Sequence, residues 1–172
     1  MDLRALVREV PDFPKPGVSF KDITTVLRNG AALRYVVQTM ADHLRPRRPD
    51  VIVGVESRGF LLGAPLAYEL GVGFVLVRKA GKLPADKISI EYELEYGTDS
   101  LEIHTDAIEP GQKVLIVDDL LATGGTMAAA AQLVERLQGE IVGFAFLIEL
   151  NYLGGRSRLG DYEVLSLIQY DE

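Results

Sequence analysis

Two adjacent carboxylates, Asp118 and Asp119, stand just ahead of a Thr123-Gly-Gly-Thr126 turn. Paired acids can accept hydrogen bonds from vicinal sugar hydroxyls or face a metal-bound substrate. The turn offers the opposite chemistry. Gly124 and Gly125 let backbone N–H groups point inward, and a helix that begins there adds unpaired donors and a partial positive charge. A phosphate would be held by the amides of Ala122, Thr123, Gly124, Gly125 and Thr126 and by the hydroxyls of Thr123 and Thr126, while a ribose diol reaches back to the two Asp. The ligand these residues suit is a phosphorylated ribose. The alternative is a strand, an acidic turn and an ordinary helix cap. Neither a G-x-x-x-x-G-K-[ST] loop nor a G-x-G-x-x-G fingerprint occurs, which excludes the two common nucleotide motifs.

These residues need elements to hold them. Val114 to Val117 read as a strand buried on both faces, which places the acids at its carboxyl end, where open parallel sheets bind ligands. Met127, Ala130, Ala131, Val134 and Leu137 repeat with helical spacing after the turn. Val51 to Val55 form a second buried strand, followed at once by Glu56-Ser57-Arg58-Gly59, so this loop too lies at a carboxyl edge. Arg58 offers a planar fork suited to pyrophosphate oxygens, and Gly59 permits close backbone approach. The alternative there is a helix cap with Arg58 paired to Glu56.

Further strands are expected at Phe74–Val77, Ile141–Ile148 and Glu163–Ile168, and helices at Leu33–Leu44, with Asn29 as cap, and at Phe60–Leu70, ending at Gly71. Ile88–Tyr96 alternates in polarity and reads as one arm of a hairpin, with Ser100–His104 as the other. The first residues suggest a short helix through Leu3, Leu6, Val7 and Val10, followed by an extended arm at Pro11, Pro14 and Pro16 that is not a strand. Strand alternating with helix gives an α/β fold with a central, mostly parallel twisted sheet flanked by helices. Arg78, Lys79, Lys82 and Lys87 gather around Gly81 and Pro84, either as a solvated turn or as a lid.

The 172 residues, 48% hydrophobic and 25% charged, suit one globular domain. There is no cysteine, so disulfides, thiolate metal sites and a cysteine nucleophile are excluded. A net charge of -7 argues against nucleic acid as partner. Ile141–Leu150 is too short for a bilayer and contains Gly143 and Glu149, so no membrane association is expected and the cytoplasm is the expected location.

The segment Val114-Leu-Ile-Val-Asp-Asp-Leu-Leu-Ala-Thr-Gly-Gly-Thr126 resembles the sugar-diphosphate motif of the type I phosphoribosyltransferases. Four more segments, in order, resemble the adenine-using branch of that family: Pro11–Ile23, Glu56–Phe60, Arg78–Pro84 and Leu94–Gly97. The resemblance implies the type I phosphoribosyltransferase fold over residues 1–172, with an N-terminal hood (1–28) over the base and a mobile lid and β-hairpin (78–104). It implies formation of AMP and pyrophosphate from adenine and 5-phosphoribosyl 1-pyrophosphate (PRPP), with Mg2+ carried by the diphosphate rather than by a protein cage, and a homodimer. It assigns pyrophosphate to Glu56, Ser57, Arg58, Gly59, Arg78, Lys79 and Lys82, the Glu56–Ser57 loop often containing a cis peptide. It assigns the base to Ser19, Phe20, Lys21, Tyr96 and Leu150, with Phe20 stacking on the purine. Glu95 is the implied proton acceptor and Arg58 the cation that neutralises the leaving group. Relatives commonly carry Arg at Lys21 and an apolar residue at Ser19, so adenine must be read there by main-chain atoms if its selection is to survive. The alternatives are a transferase for hypoxanthine, guanine, xanthine or orotate, or a non-catalytic sensor of PRPP.

Overall fold

The computed structural model describes residues 1–94 and 96–172. Its centre is a seven-stranded sheet of order β5-β6-β4-β3-β7-β8-β9, formed by β3 (Val51–Val55), β4 (Gly73–Lys79), β5 (Lys87–Glu93), β6 (Thr98–His104), β7 (Lys113–Leu121), β8 (Glu140–Leu150) and β9 (Val164–Tyr170). β4, β3, β7, β8 and β9 run parallel, and the β5–β6 hairpin adds antiparallel strands at one edge. This is the expected mostly parallel α/β sheet.

The continuous apolar runs are explained by the pleat. Ile52, Leu115 and Val117 enter one core together with Val36, Met40 and Leu44 of α2 (Gly30–Leu44) and Leu62 and Leu66 of α3 (Arg58–Leu70). Val51, Val53, Val55, Val114 and Ile116 enter the other, under Met127, Ala130, Leu133 and Val134 of α4 (Gly125–Arg136). Alternate side chains leave opposite faces, and each face is covered by helix, so no position of these strands is left to water. Asn29 caps α2 as expected, accepting from the amides of Ala31 and Ala32. Gly71 ends α3 in the left-handed conformation.

The N-terminal arm differs from expectation. A 3-10 turn at Arg4–Leu6 leads into β1 (Arg8–Val10), which pairs antiparallel with β2 (Phe20–Asp22) as a separate two-stranded sheet, and a single helical turn, α1 (Thr24–Leu27), follows. Neither strand is long enough to show a period, and their pairing is fixed by tertiary contacts. Arg8 donates to Asp22 at 2.8 and 2.5 Å, and Thr24 anchors the same carboxylate through its hydroxyl and amide, which with Arg8 holds the Asp22 carboxyl down at about 2.

The arm is fastened to the sheet through Tyr170. Its ring meets two cations, with Lys21 Nζ at 4.3 Å and Arg4 Cζ at 4.4 Å from the centroid. None of the described helices is long and apolar enough to cross a membrane.

Candidate active site

The chain places β4 on one side of β3 and, after the hairpin, β7 on the other, so the strand order reverses between β3 and β7. The crevice outside the carboxyl ends of such a pair is where open α/β sheets take ligands. β3 stops at its rung with Val117, whereas β7 continues to Leu121 paired only with β8. Asp118 and Asp119 therefore lie within β7, not beyond its end, on the stretch that has lost its neighbour on the β3 side. That overhang exposes an acidic edge to the crevice.

Asp119 is buried and receives Arg58 Nε at 2.6 Å, although the two residues are 61 apart in sequence. Arg58 thus pairs with an acid of the opposite strand and not with Glu56. Asp118 accepts the amide of Asp119 at 2.8 Å. Burial, and then the neighbouring Asp119 charge, push the Asp118 carboxyl well above the usual carboxylate range. Gly59 serves a tighter purpose than approach to an anion. A Cβ there would sit 3.0 Å from Asp118 Oδ1 and 3.1 Å from the Val117 carbonyl, so it is the start of α3 that packs directly on β7.

The Glu56–Ser57 peptide is cis, as the resemblance implies. Glu56 itself is a brace. It accepts from the Lys79 amide at 2.6 Å, lies 3.3 Å from Arg78 Nε and is hydrogen-bonded by Lys82. Burial raises its pKa, but Lys82, the Lys79 amide and Arg78 outweigh that and hold it below the ordinary range. Arg78 and Lys79 are the last residues of β4, paired with Glu102 and Leu101 of β6, and so do not belong to the loop expected from the basic run. Lys79 Nζ meets Asp99 at 3.1 Å. Glu56, Ser57, Arg58, Lys79, Lys82, Asp118 and Asp119 line one cavity of about 300 Å³.

Beyond the acids the chain turns into the cradle. Gly124 has φ +86°, and a Cβ on it would lie 2.5 Å from the Gly155 carbonyl oxygen. Reciprocally, a Cβ on Gly155 would lie 2.3 Å from the Ala122 carbonyl oxygen. The Thr-Gly-Gly-Thr loop is therefore wedged against a 3-10 segment, Gly155–Leu159, and its shape is fixed by backbone against backbone. A cavity of about 230 Å³ runs from Arg58 and the acid pair along Ala122–Thr126, joining the carboxylates to the cradle.

Phe20 and Lys21 alternate on β2. Phe20 sits edge-on to Phe13 at 5.2 Å, with the Arg58 guanidinium 5.8 Å from its ring, so it borders the crevice. Lys21 points the other way, buried, 3.1 Å from Glu9 and 3.2 Å from Ser19 Oγ. Its side chain is committed to the arm, and only its main chain is left for a base. Leu150 ends β8 opposite Tyr170, in the core. Tyr96 is largely exposed, with Lys15 Nζ 5.6 Å from its ring. Glu95 lies outside the described residues.

Residue patterns gave no sign of Glu102, Asp99 or Arg158. Glu102 is buried and accepts from the Gly81 amide at 2.7 Å and Ser89 at 2.6 Å, tying the basic loop to the hairpin. Arg158 lines a third cavity, of about 430 Å³, with Tyr92, Glu93, Leu94, Thr123, Gly125 and Thr126. A Gly-Arg-Ser-Arg run after Gly154 was the available signal.

The chain is similar to known proteins over nearly its whole length. The model of the phosphoribosyl transferase domain matches residues 22–172. An adenine phosphoribosyltransferase of Synechococcus sp. is 58% identical over 171 residues, covering 99% of this chain and 100% of its own. The crystal structure of adenine phosphoribosyltransferase from Thermoanaerobacter pseudethanolicus superimposes with a TM-score of 0.96 at 57% identity, over 98% of each chain. That of the Saccharomyces cerevisiae enzyme, complexed with an imino-altritol bisphosphate and adenine, gives 0.93 at 44% identity over 96% of each.

Proposed function

The chain belongs to the phosphoribosyltransferase family, and from that premise we propose that it makes AMP and pyrophosphate from adenine and PRPP, a purine-salvage transfer. The observation that carries the reading is the crevice at the sheet's reversal point, with an acid pair on one wall continuous with a phosphate cradle. It is supported by relatives named for that reaction at more than half identity over nearly the whole chain.

In this reading the sugar lies along β7. Amides of Ala122–Thr126 hold the 5′-phosphate, and Asp118 and Asp119 accept from the ribose hydroxyls. Ser57, Arg58, Lys79 and Lys82 face the diphosphate, with Arg78 and Glu56 bracing them. A ring nitrogen of adenine forms the new bond to the anomeric carbon as the bond to the pyrophosphate oxygen breaks and its electron pair leaves with pyrophosphate. The sugar is cation-like between the two, so placement and charge stabilisation are what the protein must supply. The proton lost by adenine goes to Glu95. Phe20 stacks on the base, main-chain atoms of Ser19 and Lys21 read its edge, and Tyr96 and Leu150 complete its surroundings.

The diphosphate-side cavity mixes Glu56, Asp118 and Asp119 with Arg58, Lys79 and Lys82, a lining that fits an anion arriving with a divalent cation. Mg2+ so delivered would neutralise charge on the departing pyrophosphate. The loop at 80–86 and the hairpin act as the lid that excludes water. A homodimer in the cytoplasm completes the proposal, on the family resemblance.

The test is incubation of the protein with PRPP, Mg2+ and each of adenine, hypoxanthine, guanine, xanthine and orotate, following nucleotide formed. Adenine should be the preferred acceptor. Preference for any other base would overturn the substrate, and no nucleotide from any base would overturn the reaction.

A further inference from the structure

The basic residues around the crevice are matched with acids. Arg58 is on Asp119, Lys79 on Asp99, and Lys82 and Arg78 on Glu56. Outside the crevice Arg47 holds the Val142 carbonyl, Arg136 the Ser89 carbonyl, and Arg156 grips Glu149 at 2.9 and 2.6 Å. Arg158 stands apart. Among the described residues no hydrogen bond or ion pair involves it, and Glu93, which borders the same cavity, does not pair with it.

Arg158 is exposed, but the segment that carries it is fixed. The flanking Leu159 is buried under α4, Arg156 is fixed on Glu149, and Gly155 is wedged against Ala122, so the segment that carries Arg158 is held from three sides. The guanidinium stands 3.2 Å from where a Cβ on Gly125 would be, at the first residue of α4. A cation held there faces the positive end of a helix dipole, which repels it. Among the described residues no carboxylate pairs with Arg158 to offset that juxtaposition of like charges, which a phosphate entering the cradle would relieve.

We propose that Arg158 is a ligand of the 5′-phosphate, its fork supplementing the amides of Ala122–Thr126 with the side-chain cation of that end. The assignment rests on the proposed use of the cradle for a sugar 5′-phosphate. Chemically it suits a phosphate monoester dianion, whose charge four or five neutral amides only partly balance. It also gives the enzyme a means to prefer phosphorylated over unphosphorylated ribose without adding a cation near the reacting carbon.

Ribose 5-phosphate and pyrophosphate probe the two ends separately. In Arg158→Gln, ribose 5-phosphate should bind roughly tenfold more weakly, the worth of one charge-assisted contact, with pyrophosphate affinity unchanged. The KM for PRPP should rise while kcat stays near wild type, and Arg158→Lys should recover part of the loss. Unchanged ribose 5-phosphate affinity, or equal weakening of both probes, would overturn the assignment. If the unaltered protein binds pyrophosphate but not ribose 5-phosphate, the cradle reading itself fails, and Arg158 falls with it.

Discussion

The two ends of the crevice, the anion sites of the proposed function, are built on opposite plans. At the end of β3 the donors are side chains, and each already rests on a carboxylate: Arg58 on Asp119, Lys82 on Glu56, Lys79 on Asp99. At the end of β7 the proposed donors are mainly main-chain amides, with the single side-chain cation Arg158, on a loop whose glycines are pressed against the Gly155–Leu159 segment. Binding at the first end is an exchange of partners, whose net gain is the difference between two ion pairs. Binding at the second fills a shape that the fold has already made, with the ordering cost met during folding. In the proposed function a substrate with a phosphate at each end would thus meet one rigid socket and one adaptable one.

The sharpest way to break that contrast is Gly124→Val. Its φ of +86° and a Cβ 2.5 Å from the Gly155 carbonyl force the loop out of shape. Affinity for ribose 5-phosphate should fall by about a hundredfold or more, the scale of losing a preorganised donor. Calorimetric titration showing wild-type affinity would mean the phosphate sits elsewhere. Asp119→Asn should have a smaller and more selective effect. PRPP turnover should drop by roughly tenfold to a hundredfold as one charge-assisted acceptor is lost, while pyrophosphate alone binds no worse because Arg58 is released. Wild-type kinetics in that variant would remove Asp119 from the site.

The gentlest change, Asp118→Asn, reads the strain of the acid pair. Burial and Asp119 raise the folded pKa above the unfolded value of 3.8, so ionised Asp118 costs stability wherever the unfolded chain is charged. The variant should therefore be more stable than the parent at neutral pH. The gain should appear as pH rises past the unfolded pKa and vanish below it, where both states are protonated. Denaturant melts with no such pH dependence would show that the pair carries no strain.

Much of this was legible in the sequence because it is local. The strands at Val51–Val55 and Val114–Val117 announce themselves by runs of large apolar residues, and Thr123–Thr126 by glycines whose backbone freedom the turn requires. What sequence could not show depends on distance. Arg58 meets Asp119 only because β3 and β7 are neighbours, and the pairing of β1 with β2 joins three-residue strands that carry no period of their own. The basic run at Arg78–Lys82 misleads for the same reason. Its first two residues are claimed by β6 and become strand, because ladder hydrogen bonds outweigh the local preference of a charged stretch. Nor could sequence show where the Lys21 side chain goes, since only the β2 alternation turns it onto Tyr170 and leaves its main chain for the proposed base contact.

That aromatic ring has one more consequence. Arg4 and Lys21 grip it from the beginning of the chain, and it belongs to the last strand, so both ends of the polypeptide are riveted at one point beside Leu150. The strand carrying Phe20 inherits its position from that rivet. With Phe20 stacked on the base as proposed, wear at the outer margin of the sheet would therefore be felt first as blurred choice of base, well before the proposed phosphate socket loosens.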